Sequence, residues 1–99
     1  MTPDEARAAL AVCRAEIDEV DRRLVALINE RVRVVERIGQ IKQSAAFDVY
    51  EPNRERAVLE NVAAANGGPL PADSAVRIFE RIMDEMRTIQ RNRMLSKEN

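Results

Sequence analysis

Arg31 stands where a helical packing seam calls for an apolar residue, and that displacement is the first chemical clue in the sequence. An arginine in such a seam is costly unless something anionic meets it. Lys42 follows eleven residues later, close to three full turns, so both cations share one helix face about 16 Å apart by rise. Gln90 interrupts a second apolar stripe, seven residues after Met83 and four after Met86. Arg54 and Glu55 open a further helix with Glu51 at its cap, and Arg14 lies upstream on the first. Each has an ordinary account when taken alone. Arg31 fits a side chain snorkelling at the seam's edge, Gln90 a polar residue near a helix end, and Arg14 a solvated position. Arg54, Glu55 and Glu51 fit first-turn charges in surface pairs. Together they describe a buried polar pocket for a small molecule with more than one carboxylate, because guanidinium forks match carboxylates two bonds at a time.

Other chemistries are excluded by what the chain lacks. It has no histidine and a single cysteine, Cys13, so a His-ligated metal site, a Ser-His-Asp triad and a Cys-His pair are ruled out, and no metal is expected. No intrachain disulfide can form, which fits a reducing compartment. Charged residues are 33% with a net charge of -1, against the basic excess of a general nucleic-acid binder. No uncharged stretch approaches a membrane span. The start, Met1-Thr2-Pro3-Asp4-Glu5, is acidic and lacks the pattern of a signal peptide, so a cytoplasmic location is expected.

The elements that must position these residues are helices. Thr2-Pro3-Asp4-Glu5 reads as a helix start, with Thr at the cap, Pro in the first turn and Glu three residues after the cap. An apolar seam follows at Leu10, Cys13, Ile17, Val20, Leu24 and Leu27, then Val34, Ile38 and Ile41. Its alternating three-four spacing is that of helix-on-helix packing. Gly39 is its one weak point, and the helix is expected to reach about residue 42, roughly 60 Å of helix at 1.5 Å per residue. A helix of that length needs a partner along its seam. Ser44 to Glu51 breaks the pattern and Pro52 starts a second helix carrying Val58, Leu59 and Val62. Asn66-Gly67-Gly68-Pro69 ends it. Pro71-Ala72-Asp73-Ser74 starts a third, with Val76, Phe79, Ile82, Met83, Met86 and Ile89 on one face. The expectation is an all-α chain of three helices, one very long, forming a single domain over residues 1–95 with a frayed tail at 96–99. Aromatics are only 3% of the 99 residues, so the core is thin and oligomerisation is expected to supply part of the stability.

Arg14 with Ile17-Asp18-Glu19-Val20-Asp21, the run Leu27-Ile28-Asn29-Glu30-Arg31, and Ile38-Gly39-Gln40-Ile41-Lys42 resemble the all-helical chorismate mutase family. The resemblance continues through Val49-Tyr50-Glu51-Pro52-Asn53-Arg54-Glu55, closes with Gln90, and covers nearly the whole chain. It implies an intertwined six-helix homodimer with two shared sites and the rearrangement of chorismate to prephenate, without a cofactor, in aromatic amino-acid biosynthesis. By the same resemblance Arg14, Arg31 and Arg54 hold the two carboxylates of chorismate, with Arg14 contributed across subunits. Lys42 and Gln90 donate to the ether oxygen of the breaking bond, and Glu55, helped by Glu51, accepts from the ring hydroxyl. The chain departs from the family pattern at Glu51, where Asp is frequent, and at Met86, where a small hydroxyl residue is frequent. An isochorismate pyruvate lyase of the same fold is the nearest rival, although Arg54-Glu55 after Pro52 leans toward the mutase. A helical dimerisation module without activity is the rival from another class. Whether a pathway enzyme docks and activates the chain is not legible in the residues.

Overall fold

The computed structural model describes residues 1–98, with side-chain surroundings through Ser96. The described residues form α1 (Pro3–Ala45), α2 (Pro52–Ala65) and α3 (Ala72–Glu98), with no strand among them. Asn99, the end of the tail expected to fray, lies outside the described residues. The chain divides into two units, residues 1–33 and residues 34 onward.

The first unit is α1 up to Arg33. Thr2 caps it as its sequence predicts: Oγ1 accepts from the Glu5 backbone N–H at 3.1 Å, which satisfies one of the four orphan donors of a helix start. Asp4 and Glu5 in the first turn complement the helix dipole. The surface pairs Arg7–Asp4 and Arg22–Glu19 are solvent-exposed and i,i+3 spaced, so they contribute little. The apolar positions expected to need a partner are open: Ile17 is 57% and Leu27 60% exposed, with Leu10, Val20 and Leu24 also exposed, and Ile28 beside them is exposed as well.

The second unit comprises the last turns of α1 with α2 and α3. Its core is small: Val35, Ala75, Met83 and Met86. On α1 the buried positions are Val35, Gly39 and Lys42, spaced four and three, whereas the seam positions Val34, Ile38 and Ile41 remain exposed. Within this unit, then, α1 turns a face offset from its apolar seam towards its own chain. Beside Val35, that face carries a lysine and a glycine where further aliphatics would be expected. The glycine has a packing consequence, since a Cβ at Gly39 would lie 3.5 Å from Gln90 Cγ, at ordinary contact distance. α1 therefore meets α3 closely at that turn, and Arg93 Nη2 pairs with Glu36 Oε2 at 3.0 Å beside it. α2 packs on α3, with Val58, Leu59 and Val62 half-buried.

Three local endings hold these elements in register. α1 runs one turn beyond the expected residue 42 because a Schellman motif closes it: Phe47 N–H donates to Lys42 C=O at 2.8 Å and Ala46 N–H to Gln43 C=O at 3.3 Å. Ala46 takes the left-handed position of this motif at φ 58°, where glycine is the unstrained residue. Pro52 starts α2 at the first turn, as expected. Asn66 ends it. Its Oδ1 accepts from Gly68 N–H at 3.1 Å and its Nδ2 donates to Leu70 C=O at 2.8 Å, and Gly68 sits at φ 75°, a value open to glycine without strain.

Candidate active site

Lys42 is held by the end of α1. Its backbone carbonyl anchors the Schellman closure, which fixes the last turn from which its side chain departs. The residue is 6% exposed. Burying an ammonium costs several kcal/mol unless it is paired and hydrogen-bonded, and both conditions are met. Nζ donates to Val49 C=O at 2.7 Å and pairs with Glu51 Oε2 at 3.0 Å. An ammonium carries three donors, so these two contacts leave one for a ligand. Val49 and Glu51 lie in the connection to α2, so one lysine ties the end of α1 to the start of α2.

Glu51 is the cap residue of α2 but makes no side-chain cap hydrogen bond. Its carboxylate goes to Lys42 instead. The sequence reading of first-turn charge thus gives way to a tertiary contact between two predicted site residues.

Gln90 is 8% exposed on α3, against Gly39. Among the described residues Lys42 and Gln90 are the buried polar side chains, and Gly39 lies one turn before Lys42 on α1. Gln90 Oε1 is buried with no hydrogen-bond partner. Leaving such an oxygen unpaired costs on the order of 1–3 kcal/mol, so it calls for a donor from water or a ligand. A cavity adjoins it, walled by Gly39, Gln40 and Gln43 of α1 and by Arg93 and Met94 of α3.

Glu55 lies in the first turn of α2, half-buried. Its Oε2 accepts from Arg87 Nη1 across α2 and α3. Arg87 Nη2 also pairs with Asp84 Oδ1, and its guanidinium lies over the Tyr50 ring at 5.5 Å to the centroid. Its pKa is raised, first by the hydrogen bond to Glu55, against the desolvation that opposes it, with further help from the Glu55 and Asp84 charges.

Arg54 is exposed in the first turn of α2. Arg14, exposed, and Arg31, half-buried, belong to the first unit, whereas Lys42, Glu51, Arg54, Glu55 and Gln90 belong to the second. The structure thus brings Lys42 to Glu51 directly and places Gln90 against the same face of α1. Met86, at the position where the resemblance finds a small hydroxyl residue, is buried at 4% exposure and offers no N–H or O–H donor.

Sequence reasoning missed Arg87 and its contact with Tyr50. Arg87 follows Met83 by four residues and Met86 by one, so its place on the flank of the apolar stripe was legible. Its engagement with Glu55, thirty-two residues away, was not.

Among the described residues the chain is all-helical, with the tertiary ion pairs Lys42–Glu51 and Arg87–Glu55 and a buried amide at Gln90, which defines a helical protein that keeps polar groups in a small core. Residues 13–91 match the family described as Chorismate mutase type II, and the chain belongs to that family. It is 40% identical over 79% of its length to a bifunctional chorismate mutase/prephenate dehydratase of Neisseria gonorrhoeae, of which the match covers 21%. The chain spans only about a fifth of the length of such two-activity relatives. Among solved structures it is similar to a chorismate mutase of Thermus thermophilus, at TM-score 0.81 and 29% identity, covering 84% of this chain and 94% of that one. It is also similar to a Helicobacter pylori chorismate mutase in complex with prephenate, at TM-score 0.79 and 27% identity, covering 86% and 92% of the respective chains.

Proposed function

We propose that this chain is a chorismate mutase, an isomerase that converts chorismate to prephenate in the cytoplasm as a homodimer. The observation that carries the reading is the burial of Lys42 and Gln90. These two polar side chains are withdrawn from water in the described structure, and they are the two that the family pattern sets on the ether oxygen. Membership of the family and similarity to the prephenate-bound H. pylori enzyme support it.

The reaction is an intramolecular rearrangement in which one carbon–oxygen bond breaks as one carbon–carbon bond forms. No proton, hydride or metal ion takes part. The protein has two tasks. It must hold the enolpyruvyl side chain over the ring, and positioning of this kind is worth about 7–11 kcal/mol in favourable intramolecular cases. It must also stabilise the negative charge that grows on the ether oxygen, with donors already in place. The third N–H of Lys42 and the Gln90 amide serve the second task. Arg14, Arg31 and Arg54 serve the first by gripping the two carboxylates, and Glu55 accepts from the ring hydroxyl with Glu51 beside it.

The exposed apolar face of α1 supports the dimer. Leaving Ile17, Val20, Leu24, Leu27 and Ile28 in water forgoes about 1.5–3 kcal/mol for each side chain that a partner would cover fully. The same helix explains why a site needs two chains. Arg14 and Arg31 are seventeen residues apart, about 25 Å along the axis and roughly 100° around it. One helix cannot turn both toward a single small ligand, so Arg14 of the partner subunit completes each site.

The direct test is loss of chorismate absorbance on adding the purified protein, with the product identified. Prephenate is expected. Unchanged chorismate refutes the proposal, and pyruvate released from isochorismate would instead make it a lyase.

A further inference from the structure

Arg87 is a charged group that the family roles leave unused, and its side chain in the second unit is held from several sides. Its side chain is 22% exposed, and three contacts surround its guanidinium. Nη1 donates to Glu55 Oε2, Nη2 to Asp84 Oδ1, and the planar group lies over the Tyr50 ring. Asp84, three residues back on the same helix and about half exposed, would be partner enough for an arginine with a surface role only. Reaching α2 as well, and stacking on the connection that carries Tyr50, turns the side chain into a clamp. A guanidinium is a rigid fork, so anchoring one arm on Asp84 and its face on Tyr50 fixes where the other arm must be. Among the described residues Glu55 is engaged through Oε2, and Oε1 is left to accept a hydrogen bond.

We propose that Arg87 is a positioning residue: it fixes the Glu55 carboxylate on α2 so that the second oxygen meets the ring hydroxyl, and it cancels the charge that would repel a dianionic substrate. This rests on the mutase reading and adds to it a residue outside the family pattern. The charge logic has a parallel in the same unit. Glu51 is offset by Lys42 and Glu55 by Arg87, so neither acidic residue faces an incoming dicarboxylate uncompensated. Because Arg87 acts through Glu55, its contribution must vanish when Glu55 loses its charge.

The test is a double-mutant cycle on the full chain with chorismate as substrate, kcat and KM measured separately. Arg87→Met keeps the aliphatic stem and helix propensity while removing the fork. It is expected to lower kcat/KM by about tenfold to a hundredfold, mostly through KM. In a Glu55→Gln background the same change is expected to move kcat/KM by no more than about twofold, the non-additivity that marks two coupled sites. Arg87→Lys, which keeps the charge and cannot span both carboxylates, should fall between wild type and Arg87→Met. It also carries the cycle with Glu55→Gln should Arg87→Met fail to fold by circular dichroism. Equal losses in both backgrounds, or wild-type kcat/KM in Arg87→Met, would overturn the proposal while leaving the mutase reading intact. Wild-type protein that consumes no chorismate would overturn both.

Discussion

Replacing Lys42 by Met separates stability from chemistry, because the structure makes the two consequences very different in size. The methionine keeps the length of the stem and removes the ammonium. On the stability side, the lost ion pair with Glu51 is at 3.0 Å, and its Coulomb energy would be about 5–6 kcal/mol at an effective dielectric of 20. Glu51 is half exposed, however, so solvent screening cuts that to about 1 kcal/mol or less. Losing the donor to Val49 C=O costs about 1 kcal/mol more. Against both stands relief of the desolvation cost of a lysine that is 6% exposed, a cost that an apolar replacement does not incur. The net change in unfolding free energy is therefore expected within about 1 kcal/mol, or roughly 4–8 °C in either direction for a domain of this size. On the chemical side, a pre-positioned donor aimed at developing charge is worth about 2.7–4 kcal/mol, a fall of about 10²–10³ in kcat. Initial rates of chorismate loss at saturating substrate, and thermal melts followed by circular dichroism at fixed chain concentration, measure the two terms. A variant that keeps kcat and loses only affinity would refute the reasoning, because it would make Lys42 a general anchor for the anion.

Ala46→Gly should stabilise the chain by about 1 kcal/mol, since it removes a Cβ from the left-handed position at φ 58°; an unchanged or lower melting temperature would contradict the strain assigned there. Gln90 does not titrate, so native activity is expected to stay nearly flat across mid-range pH, whereas Gln90→Glu should turn over only where the carboxylic acid remains protonated. A pH–rate profile of the variant that matches the native one would dismiss Gln90 as a donor. Leu24→Glu puts a charge on the exposed apolar face of the first unit and is expected to give a monomer by sedimentation with loss of turnover. An active monomer would remove the shared-site reasoning.

The fold was legible because its signals are local. Thr2, Pro52 and the Asn66-to-Pro69 stretch mark helix ends through backbone chemistry that acts within a few residues, and the three-four spacing fixes the helical period. The end of α1 was read a turn too early because its stop is made by an alanine in a glycine's position. Buried polar positions were legible only in part. Gln90 on an apolar stripe is buried, and Lys42 is buried on a face that the apolar seam does not occupy. Glu51 stands at the cap position of α2 as read from the sequence, but its carboxylate pairs with Lys42 and not with the cap N–H groups. Arg87 conforms to the pattern of a helix flank. Only the packing of α2 on α3 reveals that it holds Glu55.

Subunit complementation puts the central idea to the most direct trial. Arg14→Ala and Lys42→Ala chains, each inactive alone, are unfolded together, refolded as a mixture and assayed with chorismate. Random pairing into two-fold dimers makes half of them hybrids, and each hybrid has one site with an intact Arg14 and an intact Lys42 from different chains. Turnover should therefore recover to about a quarter of the wild-type value per chain. A mixture as inactive as its components would contradict a site assembled from two chains.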